Sequence, residues 1–540
     1  MGLWQFLDEL SSKAVLRRAM YAAAFTFFFL IVLTPPIIGI FFKLDSLKEI
    51  GVHPDLLSRA QSAIIWSFIT AFSVSLLDLI AGIPLAWFIV RSKSRWVNTI
   101  DTLADIPFII PTAALGYSSL LFWSDPEGLA GLFGTNMIVP PGFILVALVH
   151  FVFSFPVTVR VMVGELLSYN EVYEVAARTL GAQPFTAIRT VTFPLLKPAL
   201  IASFLLSFSR SLSETGATVI VAGAFETGPV FIKNAKDLGL EGPLVFVSFI
   251  LIFTSILVFA LINILGKRLK LPVRKAWPSF ERLLSGRSFI RLRDSITIFV
   301  FIFFVVIPSL FICLPMSSAF VDGTIHSAIQ ASGPWTEFWN SMVLSYSVGI
   351  IATLVNIISG LPIAILIARK RLGKATGVMD MLVNIPIVVP SVALGVSLSF
   401  FGKALGFIPE FILLLMAHIT ITYTYFVRAM SAALQMLPVE LEEVASTLGG
   451  HRFTIFKKIT VPLTKYSLLS GSILAFTRSV GETGASVAVT TKLKTAPVLL
   501  LSWIKGLVPV SHSAQALGIG FLVITSFAML LALRLIAKGR

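Results

Sequence analysis

Apolar stretches of about 20 residues alternate with short polar segments along the whole chain. A helix of about 20 apolar residues is long enough to cross a bilayer, so each stretch predicts a transmembrane span. The first six predicted spans lie near 20–42, 62–90, 103–123, 139–164, 199–222 and 243–266. The other six lie near 295–316, 338–368, 378–402, 409–430, 466–489 and 513–537. The pattern therefore predicts an all-α integral membrane protein with about twelve transmembrane helices.

The second half of the chain repeats the first. The run DIPFIIPTAALG from Asp105 matches NIPIVVPSVALG from Asn384, and SRSLSETGATVIVAG from Ser209 matches TRSVGETGASVAVTT from Thr477. The separation of matching positions falls from 279 to 268 residues, so the first half carries an insertion, which we place in an external loop around 124–128. Because each repeat has an even number of spans, the two repeats are predicted to be parallel, with a solute path along their interface.

This duplication predicts three parts of the chain. They are a first half at 1–266, a basic cytoplasmic linker at 267–294 and a second half at 295–540. The linker holds a cluster of basic residues, which is expected to meet anionic lipid headgroups.

Composition supports the membrane assignment, and charge placement predicts the orientation. Hydrophobic residues make up 56% of the chain and charged residues only 13%, whereas soluble domains carry roughly 25% charged residues. The net charge of +15 does not indicate nucleic-acid binding, because most Lys and Arg residues lie in segments that face the cytoplasm when the amino terminus is inside. We therefore expect a multi-pass protein of the plasma membrane with both termini in the cytoplasm.

A polar segment occurs twice, at 171–198 and 439–465, on the predicted cytoplasmic side. In each copy a glycine precedes a proline by 13 positions. Acidic residues near the start suit a helix N-terminus, and the glycine suits a left-handed position that ends a helix. An amphipathic helix on the membrane surface would not require this fixed spacing. The repeated segment therefore predicts two equivalent docking sites for a partner protein.

This segment resembles the EAA loop of permease subunits of ATP-binding-cassette (ABC) importers. The matching residues are Glu174, Ala176, Ala177, Gly181, Val191 and Pro194 in the first half, and Glu443, Ala445, Gly449, Ile459 and Pro462 in the second. The departures are small, such as Val444 in place of one alanine. The resemblance implies that each loop docks into a separate ATPase and transmits its closure, so two ATPase copies are expected.

The chain has no GxxxxGK sequence followed by Ser or Thr, so it lacks a phosphate-binding loop. The resemblance then implies that the partner ATPase binds ATP and Mg, that an extracytoplasmic binding protein delivers the solute, and that this chain is a transport subunit without cofactor, metal or catalytic residues. The alternative is an ATP-independent secondary transporter or channel with a six-plus-six repeat. That alternative leaves the duplicated polar segment unexplained.

Ionisable residues inside predicted spans are costly and are candidates for a pathway or gate. Arg210 and Glu214 lie four residues apart on one predicted helix, as do Arg478 and Glu482. A rise of 1.5 Å per residue places Glu214 about 24 Å along its span. Each pair either lines the path or neutralises itself and fixes helix packing.

Further polar positions are duplicated with small changes. Asp78 and Asp105 in the first half match Asn356 and Asn384 in the second. The acids in the first half favour either a cationic solute or a role in helix packing. The other duplicated residues are His150 with His418, predicted to be buried and hydrogen-bonded, and Arg160 with Arg428, predicted as anchors at the inner membrane edge. Pro-rich runs are expected to kink or unwind the third and ninth spans.

The solute is left open by the sequence. The fusion of two permease halves in one chain resembles the permeases of ferric-iron and thiamine importers. The run SETGATVIVAG instead resembles the sulfate, molybdate and tungstate permeases. The acidic positions favour a cation and the intramembrane arginines favour an anion.

Overall fold

The computed structural model describes residues 13–52, 54–268 and 278–538. These residues form helices, turns and loops, with no strand among them. In this part of the chain, nine helices are long and apolar enough to cross a membrane, and three sharply bent helix pairs bring the number of candidate spans to twelve. The all-α membrane fold predicted from the sequence is confirmed.

The two halves contribute matching sets of six candidate spans. In the first half they are Ala14–Ile50, Pro54–Arg91, the pair Val97–Phe108 and Thr112–Leu132, Phe143–Ser168, the pair Pro184–Leu195 and Lys197–Leu212, and Glu241–Ile262. In the second half they are Arg287–Val321, Pro334–Ala368, the pair Gly373–Val388 and Ser391–Leu405, Glu410–Met436, Arg452–Val480 and His512–Met529. The connection from Ser124 to Phe143 is longer than that from Leu405 to Glu410, as the insertion in the first half requires.

Proline breaks the third and ninth spans. The two pieces of the third span meet at 107° and those of the ninth at 98°. Pro111 and Pro390 each stand directly before the second piece with an extended backbone. Proline has no N–H group and disfavours helical geometry in the residue before it, so the helix restarts after it. The expectation that these runs interrupt the helix is confirmed.

The first span of each half crosses onto the third span of the other half. The Ile40 N–H donates to Ser397 Oγ at 2.8 Å, and a Cβ atom at Gly39 would overlap the Ser397 carbonyl. In the matching contact, Ser118 Oγ donates to the Pro308 carbonyl at 2.6 Å and accepts from the Ile312 N–H at 2.9 Å. These crossed contacts hold the two halves together.

The fifth and eleventh spans differ from the prediction. The sequence predicted one helix at 199–222 and one at 466–489, but the helices end at Leu212 and Val480. Short helices then follow at Gly216–Val221 and Gly484–Val489. Glu214 and Glu482 therefore lie in the breaks, and the prediction that they share a helix with Arg210 and Arg478 is wrong.

The linker contains a helix of its own. Pro278–Ser285 is helical, and the seventh span begins at Arg287, eight residues before the predicted start. Part of the basic cluster, including Lys270, Arg274 and Lys275, lies outside the described residues.

Candidate functional site

Two broken helices meet where the halves face each other, and a glutamate caps each break. Glu214 Oε1 accepts from the Ala217 N–H at 3.1 Å, and Glu482 Oε1 accepts from the Ala485 N–H at 2.9 Å. The first turn of a helix has N–H groups without intrahelical partners and carries a partial positive charge. A carboxylate placed there accepts a hydrogen bond from one of these N–H groups and carries the opposite charge. This explains why the chain restarts a helix immediately after each glutamate.

Each glutamate also pairs with the arginine before its break. Arg210 Nη1 lies 3.4 Å from Glu214 Oε2, and Arg478 Nη1 lies 2.5 Å from Glu482 Oε2. The glutamates are only 3% and 2% exposed, respectively. A charge buried this deeply requires a partner, so each pair ties the two pieces of its own broken helix together.

The two breaks press against each other across the pseudo-twofold axis. A Cβ atom built on Gly216 would lie 2.7 Å from Thr483 Oγ1, and one on Gly484 would lie 2.7 Å from Thr215 Oγ1. Both threonines are buried. We call the contact of Gly216 and Thr215 with Thr483 and Gly484 the junction. It is closed in this structure, and only glycine fits at its two close approaches.

Two longer helices begin at the junction. Pro111, directly before the helix Thr112–Ser124, lies beside Gly481. Ser391, which starts the helix Ser391–Leu405, donates from Oγ to the Ser213 carbonyl at 3.4 Å. Their positive N-terminal ends favour negative charge at the junction.

The duplicated histidines hold the breaks in place. His150 contacts Ser211 Oγ through Nδ1 and Thr218 Oγ1 through Nε2, both at 2.8 Å. His418 makes the equivalent contacts with Ser479 and Ser486 at 2.7 and 3.0 Å. Both rings are buried and hydrogen-bonded, as the sequence predicted. Within the described ranges, no group of three or more His, Cys, Asp or Glu residues is arranged to hold a metal ion.

The structure places Asp78 in helix packing. Its carboxylate is fully buried and accepts from Ser154 Oγ at 2.5 Å and from Ser207 Oγ. Its counterpart Asn356 donates to Thr422 Oγ1 at 2.7 Å. Asp78 therefore lies among three spans of the first half, and it does not line the junction in this structure.

Asp105 also has an intramolecular partner. Arg160 Nε donates to Asp105 at 2.6 Å and Nη1 to Asp101 at 2.5 Å. In the second half, Arg428 contacts Asn384 and Asp380 at 2.7 and 2.8 Å. The arginines thus brace the start of the third and ninth spans against the fourth and tenth, and the acid-for-amide exchange leaves this brace intact.

Each duplicated polar segment begins with a helix that ends just before the shared glycine, as the sequence predicted. Helices Val172–Thr179 and Val439–Thr447 are followed by Gly181 at φ +94° and Gly449 at φ +85°, the left-handed positions expected of glycine. Leu180 is 90% exposed and Leu448 is 83% exposed. The two leucines are thus exposed at equivalent points of the repeat.

The counterpart of Glu174 is Glu442 rather than Glu443. Glu174 lies 3.8 Å from Arg91, and Glu442 lies 2.8 Å from Arg369, each at the end of the second span of its half. Glu443 is exposed. Counting back from the shared glycine gives the same answer, since Glu174 and Glu442 both precede it by seven residues. The motif match placed the glutamate one residue too late.

Sequence reasoning missed the two arginines that brace these segments. Arg91 and Arg369 occupy matching positions in the repeat, 278 residues apart, and this was the available signal.

Lys236 was also missed, and it has no such repeat. It lies on the helix Gly228–Asp237, and its Nζ donates to the Val487 carbonyl and, at 2.9 Å, to the Thr490 carbonyl. The first half therefore caps the C-terminal end of the short helix of the second. Burial lowers the pKa of Lys236 to about 8.

The sequence model of one protein family, described as "Binding-protein-dependent transport system inner membrane component", matches residues 78–271 and 360–538. The chain is 32% identical over 200 residues to the molybdenum transport system permease protein ModB of Mycobacterium tuberculosis, which covers 35% of this chain and 75% of that protein. It is 34% identical over 159 residues to the sulfate transport system permease protein CysT of Salmonella typhimurium, which covers 29% of this chain and 57% of that protein.

Proposed function

Because this chain belongs to the family of binding-protein-dependent transport system inner membrane components, as a permease subunit of an ABC importer, we propose that its solute is an oxyanion such as sulfate or molybdate. The observation that carries this proposal is the junction. The N-terminal ends of two long helices meet there, beside the two partly buried arginine–glutamate pairs. Fixed N–H groups and guanidinium groups bind tetrahedral anions well.

The two acidic residues of the first half do not favour a cation at the junction. Asp78 is sealed inside the first half and Asp105 is paired with Arg160, so neither carboxylate offers a free negative charge to the junction. The names of the relatives, molybdenum and sulfate permeases, favour the same solute class.

The duplicated polar segments bind one ATPase subunit each. The residues proposed to couple are Glu174, Ala176, Ala177, Gly181 and Pro194, with Glu442, Ala445, Gly449 and Pro462 in the second segment. Exposed Leu180 and Leu448 support this assignment, because each offers an apolar anchor for a cleft. The ATPase pair binds ATP and Mg and closes. An extracytoplasmic binding protein delivers the solute at the opposite face.

The junction acts as the gate between the two halves, 1–266 and 295–540. Arg210, Glu214, Arg478 and Glu482 move with the ends of the broken helices when the ATPases close, and the junction opens. Both termini lie in the cytoplasm of a plasma-membrane protein, and the basic linker meets lipid headgroups on that side.

Reconstitution tests this function. The chain, its ATPase and its binding protein are placed in liposomes, and uptake of radiolabelled sulfate and molybdate is measured with and without ATP. ATP-dependent uptake of one oxyanion is expected, and no ATP-dependent uptake of ferric iron or thiamine is expected in the same liposomes. Uptake of either of those solutes instead would refute the oxyanion assignment.

A second arm tests the need for the ATPase. The same liposomes without ATPase are given an ion gradient and labelled solute. Gradient-driven uptake by the chain alone would favour a secondary transporter and overturn the ABC mechanism.

A further inference from the structure

The linker helix Pro278–Ser285 docks onto the first of the two duplicated polar segments, 171–198, which we call the first coupling segment. The Phe185 N–H donates to Ser285 Oγ at 3.1 Å, and Thr186 Oγ1 donates to Glu281 Oε2. Arg189 approaches Glu281 Oε1 with Nε at 3.0 Å and Nη2 at 2.8 Å. A helix from the link between the halves is thus fastened to the segment that contacts the ATPase.

Glu281 is the centre of this contact. It is 4% exposed, although it lies on a short helix at the surface of the membrane domain. Burial of a carboxylate is costly unless charged or hydroxyl donors surround it. Thr186 and Arg189 supply those donors, and hydrogen bonds that involve two charged groups are stronger than neutral ones.

The linker helix is joined to the seventh span by a single residue, Gly286. That span packs onto the first half, where the Pro308 carbonyl accepts from Ser118 Oγ and the Ile312 N–H donates to the same oxygen. Movement of the first coupling segment therefore has a direct route, through the linker helix, to the first span of the second half.

We propose that Glu281 is a positioning residue for energy coupling, which fastens the first coupling segment to the linker through Thr186 and Arg189. The inference rests on the proposed function, since coupling requires an ATPase partner. When the fastening is lost, the ATPase still docks and hydrolyses ATP, but its closure is no longer transmitted fully to the gate.

The test compares full-length variants reconstituted with ATPase and binding protein, and it measures both solute uptake and ATP hydrolysis. In Glu281→Arg, uptake per ATP hydrolysed should fall about tenfold, the factor that corresponds to losing one strong charge-assisted contact. Glu281→Gln keeps the shape and should give a smaller loss. Ser279→Ala, on the exposed face of the same helix, is the matched control and should leave the ratio unchanged.

Charge exchange separates positioning from a general packing role. Arg189→Glu combined with Glu281→Arg should restore the uptake ratio. Lys457→Glu, at the position of the second segment that matches Arg189, should not restore it.

An unchanged ratio of uptake to ATP hydrolysis in Glu281→Arg would refute the proposal. Equal restoration of that ratio by Arg189→Glu and by Lys457→Glu would refute it as well. Absence of even Glu281→Gln from membranes would assign Glu281 to folding and refute it as well. Failure of the unmodified chain to take up solute with ATP would instead refute the proposed function.

Discussion

Adding one methyl group at the junction should hold the two halves apart. In Gly216→Ala, the new Cβ would lie 2.7 Å from Thr483 Oγ1 and 2.8 Å from Thr483 Cβ. Unstrained heavy-atom contacts lie at about 3.5–4.0 Å. Because both Cβ atoms are fixed to the backbone, rotation of a side chain does not remove the overlap, and the helices themselves must separate.

The size of the effect follows from the overlap. Forcing an extra methyl group into a packed site costs about 1–3 kcal/mol. When this cost falls only on the closed junction, the ratio of open to closed protein rises roughly 5- to 150-fold.

Thiol labelling measures that ratio. Cys313 is the single cysteine, so a Cys313→Ala chain carrying Thr215→Cys has one thiol, buried at the junction. The rate at which a water-soluble reagent labels this thiol should rise with the open fraction. Gly164→Ala is the matched control, because its Cβ would meet nothing within 4 Å in the helix Phe143–Ser168. Thr483→Gly combined with Gly216→Ala should restore slow labelling.

Equal labelling rates in the Gly216→Ala and Gly164→Ala chains, at equal amounts in the membrane, would refute the assignment of the junction as the closed gate.

Three further predictions follow from individual contacts. Leu180→Ala with Leu448→Ala should abolish co-purification of the ATPase while the thermal stability of the permease stays unchanged, because both side chains are exposed; retained binding would contradict the docking assignment. Arg478→Met leaves Glu482 buried without its partner and should destabilise the chain by about 3–5 kcal/mol, measured by thermal unfolding in detergent; adding Glu482→Gln should recover most of this loss, and no recovery would contradict the pairing. Burial lowers the pKa of Lys236 to about 8, whereas an exposed lysine has a pKa of about 10.4. Between these pH values the unfolded chain binds more protons than the folded chain, so the melting temperature should rise with pH across that window. Lys236→Met should remove this rise, and an unchanged rise would contradict the assignment to Lys236.

Patterns that depend on neighbouring residues were predictable. The spans follow from runs of apolar residues, and the breaks at Pro111 and Pro390 follow from the missing proline N–H. The left-handed turns at Gly181 and Gly449 follow from the freedom of glycine.

The site itself was only partly predictable. The arginine–glutamate pairs were recognised from their spacing, but each glutamate was placed on a continuous helix. The helix breaks there because the carboxylate caps a new helix, with Glu214 bonding Ala217 and Glu482 bonding Ala485. Glutamate is also a good helix former in helix interiors, so its presence alone does not mark a break.

The sequence by itself determined that this chain is a duplicated membrane protein with two equivalent polar segments, because hydrophobicity and repetition are properties of the linear order. Only the tertiary structure decided that Gly216 closes on Thr483, that Asp78 is sealed in packing, and that Glu281 fastens the linker to Arg189. Each of these facts depends on which distant groups meet and exclude water, and burial of that kind is not written in any single segment.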